Sequence, residues 1–120
     1  KLIKIPTYID SRGSLSVIEK ILSFEIKRVF YIYDVVNSER GLHAHKKTIQ
    51  ALIVISGSCD IYVGSQKDHK KFTLESPSNC LILNPEDFHW MNNFSINSVL
   101  LVLASEPYDI NDYIYEENYK

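Results

Sequence analysis

The run Arg40-Gly41-Leu42-His43-Ala44-His45-Lys46-Lys47, followed by Gln50 and Gly57, gathers the groups best suited to moving a proton. On a strand, alternate side chains share a face, which predicts His43, His45 and Lys47 on one side and Leu42 and Ala44 on the other. A lone histidine on an apolar strand is ordinarily a satisfied core residue. Two at i and i+2, with a lysine next on that face, put three polar groups into one interior, which is costly unless they are solvated and used. Imidazole titrates near ~6.5 and suits proton transfer close to neutrality. Neighbouring imidazoles are expected to titrate as a coupled pair, one neutral and one charged. Upstream, Val29-Phe30-Tyr31-Ile32-Tyr33 alternates, so Tyr31 and Tyr33 share a face. A phenol on the histidine cavity would bond an oxyanion or relay a proton; the plainer reading is that both tyrosines only pack. Of the three arginines, Arg12 and Arg40 each precede a glycine in loops beside strands, where a planar guanidinium suits a phosphorylated substrate. The polar stretch Gln66 to Lys71 reads as a hairpin loop with His69 exposed.

The elements that must position these groups are strands. Ile, Val, Phe and eight Tyr dominate the apolar set, and they suit a pleated, half-buried surface. Apolar stretches recur at Leu15–Glu19, Arg28–Val36, Leu42–Lys47, Ile49–Ser56, Cys59–Val63, Lys71–Leu74, Cys80–Leu83 and Ser98–Ala104, with Gly-, Asn- and Ser-rich turns between them. That pattern predicts a small all-β barrel or sandwich. Asp109 to Tyr119 is expected to form one helical turn or an arm packing on a partner. The 120 residues fit a single domain, 1–120. The formal charge of −2 argues against a nucleic-acid binder, which needs excess Lys and Arg. No apolar run approaches the ~18–20 residues that span a bilayer, and Lys1 to Asp10 does not read as a signal peptide. Cys59 and Cys80, each in a strand-like apolar setting, are expected as buried thiols in a reducing cytoplasm.

The spacing Gly-x-His-x-His-x4-Gln-x6-Gly resembles the first motif of the cupin superfamily, small jelly-roll β-barrels. Metal-binding cupins ligate through the two His, a Glu where this chain has Gln50, and a His from a second motif beginning with Pro. Here that motif would be Pro85 to Asn93, with His89 one residue short of its place, and a one-residue slip sends a side chain to the opposite face. No metal or other cofactor is therefore expected. Asp10-Ser11-Arg12-Gly13 and Arg40-Gly41-Leu42-His43 resemble motifs of the dTDP-sugar 3,5-epimerases. The fuller Arg40-Gly41-Leu42-His43-Ala44-His45-Lys46, with Leu101 to Ser105, Tyr108-Asp109 and Asp112-Tyr113-Ile114, is closer to the sugar 3,4-ketoisomerases.

That resemblance implies a cupin-type jelly roll that converts dTDP-4-keto-6-deoxyglucose to its 3-keto isomer, ahead of amino-transfer to 3-amino sugars. It implies His43 and His45 as the acid/base pair and Tyr31 as supporting phenol. It assigns Arg12 and Arg40 to the diphosphate or sugar; Lys47, on the histidine face, and Tyr33, on the face of Tyr31, are further candidate substrate contacts by placement alone. It also implies a homodimer whose N-terminal strand, Leu2 to Ile5, crosses to the partner. Ser11 and Met91 fall where members differ, leaving the C4 configuration of the product open. Competing readings are a 3- or 3,5-epimerase, a metal-dependent cupin such as a dioxygenase, and a non-catalytic sugar-binding cupin.

Overall fold

The computed structural model describes residues 1–115 and consists almost wholly of strands. In chain order they are β1 (Leu2–Lys4), β2 (Thr7–Asp10), β3 (Gly13–Ser16), β4 (Arg28–Tyr33), β5 (Arg40–His45), β6 (Gln50–Ser56), β7 (Cys59–Gly64), β8 (His69–Leu74), β9 (Asn79–Leu83), β10 (His89–Asn92), β11 (Val99–Ala104) and β12 (Tyr113–Tyr115). Two antiparallel five-stranded sheets, ordered β1-β9-β6-β11-β4 and β12-β5-β10-β7-β8, form the body, and β2-β3 is a separate hairpin. The all-β expectation holds.

Alternation along the strands builds the interior. Leu52 and Val54 of β6, with Leu100 and Val102 of β11, pack against Ile61 of β7, Leu74 of β8 and Met91 of β10, joining the sheets across one apolar layer. Fully burying such a side chain is worth ~1.5–3 kcal/mol. β6 is apolar without interruption from Ala51 to Ile55, because most of its outer face is buried as well. Ala51, Ile53 and Leu103 are covered from outside by Ile18, Ile21, Leu22 and Phe24 of the connection between β3 and β4. A third cluster, Ala44, Phe88 and Trp90, lies on the second sheet. Both cysteines are free and buried. Burial pushes the Cys59 thiol up to about 12, helped by the Asp60 charge, and burial pushes Cys80 up to about 11. Neither is a reactive thiolate.

At the ends of the chain one expectation is corrected, and the other, a helical turn after Asp109, is met. The N-terminal strand pairs within its own chain, Leu2 opposite Leu81 and Ile3 opposite Cys80, because its inward residue joins the apolar cluster outside β6. It is the β2-β3 hairpin that stands apart, with Tyr8, Ile9 and Leu15 exposed. At the other end, Asp109 accepts a hydrogen bond from the Asn111 N–H and caps one 3-10 turn, Ile110–Asp112, after which β12 joins β5. Residues 116–119 of the expected arm lie outside the described residues.

Candidate active site

β5 carries the site, and a defect in its pairing sets the geometry. His43 lies opposite His89, but the next residue of β10, Trp90, lies opposite Gly41, so Leu42 is an extra residue on β5. This is a β-bulge. Gly41 and Leu42 both take positive φ, +91° and +62°, to make it. A Cβ at Gly41 would come within 3.0 Å of the His89 carbonyl oxygen, so glycine is required by space as well as by φ. The bulge corrects the expectation that His89 faces away. Directly opposed residues share a face, and the His43 and His89 rings meet edge to face at 5.0 Å. His45 lies 5.1 Å from His43 and 6.3 Å from His89.

Beside them is a cavity of about 130 Å³ lined by His43, His89, Gln50, Tyr113, Met91 and Arg40, with apolar walls that include Phe30, Ile32 and Leu52. His45 sits behind this lining, 4% exposed, with its Nε2 buried and unpaired. Its Nδ1–H donates to Asp112 Oδ2 at 3.0 Å. Asp112 also accepts from the Lys47 backbone N–H at 2.8 Å and from the Thr48 hydroxyl. Burial pushes the Asp112 carboxyl up, but bonds from Thr48, Lys47 and His45 outweigh it and hold the acid below its ordinary value. His43 donates Nδ1–H to the Gly41 carbonyl and His89 donates Nδ1–H to the Asp87 carbonyl, both at 3.1 Å. Each of the three rings is thereby fixed in the tautomer whose Nε2 carries the lone pair.

Burial depresses all three imidazoles. His43 falls to about 4, through burial first and then the proximity of His45 and Arg40. His89 falls to about 3, through burial and then its two histidine neighbours. His45 is also lowered by burial, with Asp112 opposing and Arg28 adding to it. The expected half-charged pair is therefore corrected: at neutral pH all three rings are neutral bases.

The remaining sequence candidates separate. Arg40 lines the cavity. Lys47 does not share the histidine face, because β5 ends at His45, and only its backbone N–H enters the site. Tyr31 and Tyr33 are 61% and 58% exposed and stack on each other at 5.8 Å on the outer face of β4. Their neighbours Phe30 and Ile32 take the inward positions. Arg12 sits on the turn of the β2-β3 hairpin, paired with Asp10 at 2.7 Å, and lines a different groove. The phenol that does reach the imidazoles is Tyr113, 4.8 Å from His43 and 4.6 Å from His45. The sequence alone does not place Tyr113 or Asp112 beside the histidines, where the structure puts them. The Asp-Tyr-Ile run was visible in the sequence, but three residues give too short a period to announce a strand. His69 is exposed as expected, at the start of β8 and packed against Tyr62 and Trp90. Among the described residues, no three His, Cys, Asp or Glu side chains are grouped to hold a metal ion.

A barrel of this kind, with histidines opening on a small interior cavity, is the cupin fold as sugar-modifying enzymes use it. The rmlC epimerase of Mycobacterium tuberculosis superimposes with a TM-score of 0.78 at 17% identity, over 93% of this chain and 66% of that one, a likeness of fold alone. The family model described as FdtA: WxcM-like, C-terminal matches residues 1–120, and the chain belongs to that family. It is 44% identical to the TDP-4-oxo-6-deoxy-alpha-D-glucose-3,4-oxoisomerase of Aneurinibacillus thermoaerophilus, over all of this chain and 89% of that protein. A double mutant of the QdtA 3,4-ketoisomerase from Thermoanaerobacterium thermosaccharolyticum, solved with TDP, matches with a TM-score of 0.93 and 44% identity, covering 98% of this chain and 88% of that one.

Proposed function

We propose that this chain is a sugar 3,4-ketoisomerase that converts TDP-4-keto-6-deoxyglucose to its 3-keto isomer, a substrate for later amino-transfer. The observation that carries the reading is the pair of neighbouring imidazoles, His43 with a free Nε2 at the cavity and His45 backed by the Asp112 carboxylate. A hydrogen α to a ketone is acidic only where the enolate oxygen is stabilised. In this reading a neutral imidazole takes the C3 hydrogen as a proton, and the C3–H electron pair becomes the C3=C4 bond of an enediolate. The C4 carbonyl pair moves onto O4. When O3 gives up its proton and C3=O3 forms, the C3=C4 pair takes a proton at C4, and the proton lost from O3 ends on O4. His43 is the base. His45, neutral at rest, becomes the acid partner on taking up the O3 proton and passes it to O4, because among the described residues it alone of the three has a carboxylate to stabilise its protonated form, while the His43 imidazolium returns a proton to C4.

A cavity of about 130 Å³ is smaller than the ~300–1,000 Å³ of a whole small-molecule site, so it takes the sugar and leaves the nucleotide at its mouth beside Arg40. A second copy of the chain would complete that mouth. The free-standing β2-β3 hairpin exposes Tyr8, Ile9 and Leu15, and the outer face of β4 exposes Val29, Tyr31 and Tyr33. Covering these faces in a homodimer would bring Arg12 and the tyrosines into play, as the sequence led us to expect. A reducing cytoplasm suits the free thiols.

The test is isomerisation in D2O without added metal, followed by NMR. A carbonyl at C3 with deuterium at C4 is expected, and it fixes the C4 configuration. Deuterium at C3 or C5 with the ketone still at C4 would mean an epimerase. Binding without exchange would mean a non-catalytic module.

A further inference from the structure

Gln50 is a buried polar side chain to which neither the fold nor the acid/base pair assigns a task. It opens β6, is 5% exposed and lines the histidine cavity. Its amide has no hydrogen-bond partner among the described residues. A glutamine carries two N–H donors and a carbonyl acceptor, and buried amides are rarely left unmatched. The neighbouring groups explain what is lacking there. With Nδ1–H bonded to backbone carbonyls, His43 and His89 offer the cavity lone pairs only, which repel an oxygen that is gaining negative charge. Among the described residues, side-chain donors on this lining are limited to Arg40, Tyr113 and Gln50. Among these, Gln50 alone offers a donor and a carbonyl acceptor on one rigid plane.

We propose that Gln50 is a catalytic residue that grips the reacting α-hydroxyketone, its N–H donating to the ketone oxygen O4 and its carbonyl accepting from the O3 hydroxyl. This rests on the ketoisomerase reading and adds the donor that reading lacks. As the C3 proton leaves and charge collects on O4, the N–H···O4 bond strengthens, which stabilises the enediolate more than the bound ketone. An amide suits this pairing better than a carboxylate would, since it offers a donor as well as an acceptor. A carboxylate offers two acceptors and would face O4 with a negative charge.

Three measurements test this. Gln50→Met, similar in length but without donor or acceptor, should lower kcat ~10²-fold or more, the effect of removing one oxyanion donor, with TDP affinity within twofold of the wild type. Gln50→Glu keeps the shape and should lose at least as much, because it accepts but cannot donate. The third needs no variant. The chain has two glutamines, Gln50 and Gln66, so selective 15N-glutamine labelling gives two side-chain amide signals. Substrate should shift the Gln50 signal and TDP alone should not. A Met or Glu variant that binds TDP and turns over within threefold of the wild type overturns the proposal, and so does a Gln50 signal indifferent to the sugar. Failure of the wild type itself to isomerise the sugar would instead overturn the ketoisomerase reading.

Discussion

Lowering the pH from 7 to 5 tests the electrostatics of the site without altering a residue. In the unfolded chain an imidazole titrates near ~6.5, whereas in the fold His43 lies at about 4 and His89 at about 3. As the pH drops below 6.5 the unfolded chain takes up protons that the folded one refuses, so stability that is complete above that value is lost toward the folded values. Each such group costs ~1.4 kcal/mol per pH unit, or about 2 kcal/mol at pH 5. Discounting His43 for its exposure to the cavity leaves roughly 3 kcal/mol for the pair, and His45 adds in the same direction. That is a large share of a typical stability of ~5–15 kcal/mol. With a urea slope of ~1–3 kcal/mol/M, the unfolding midpoint should fall by roughly 1–3 M. The single tryptophan, Trp90, is buried beside the site and reports the transition by fluorescence. His89→Gln, which removes one of these titrations, should flatten the pH slope by about half. Equal midpoints at pH 7 and pH 5 would show that the imidazoles are not held neutral, and the assignment of a neutral base would lose its basis.

Two further substitutions test parts of the same architecture. Asp112→Asn turns an amide N–H toward donors that need an acceptor. It should cost ~1–3 kcal/mol in urea unfolding and slow kcat ~10–100-fold, whereas Thr48→Val should cost stability with kcat within a few-fold. A rate unchanged in Asp112→Asn would remove the carboxylate from the acid group's support. Gly41→Ala puts a methyl 3.0 Å from the His89 oxygen at a φ of +91° and should destabilise by ~1–3 kcal/mol. Its effect on kcat should exceed that of a remote substitution of equal thermal cost, since the bulge aligns His43 with His89.

Strands with long apolar signatures were legible: β4, β6, β7, β9 and β11 lie within a residue or a few of the stretches read from the sequence. Their side chains are buried by other strands, so the periodic pattern and the packing agree. What escaped was short or mixed. β2 lies in an exposed hairpin with little apolar periodicity whose other strand, β3, is met only at Leu15 and Ser16, β10 carries His89 and Asn92 among apolar residues, and β12 has three residues. Tyr31 and Tyr33 show the limit of alternation. The pattern stated correctly that they share a face, and left open which face looks inward. Here the smaller and wholly apolar Phe30 and Ile32 take the interior, where a phenol would need a partner.

The placement of His89 shows why counting along the chain misjudged the site. A motif spacing measures residues, whereas a side chain's face is decided by register against the neighbouring strand. Leu42 adds one residue to β5 between the positions opposite Trp90 and His89, and that extra residue re-aims the strand just before His43. The sequence does contain the means, since Gly41 tolerates the positive φ and Leu42 has a pocket with Ala44, Phe88 and Trp90 to compensate for its own. With neither strand visible to the other in the sequence, nothing there separates a bulge from an ordinary glycine before a strand. His45 has a similar dependence. Its i+2 spacing placed it beside His43, but its chemistry is set by Asp112, sixty-seven residues away and aligned only because β12 pairs with β5. The identities of the clustered histidines are therefore local information, and their tautomers and basicities belong to the sheet.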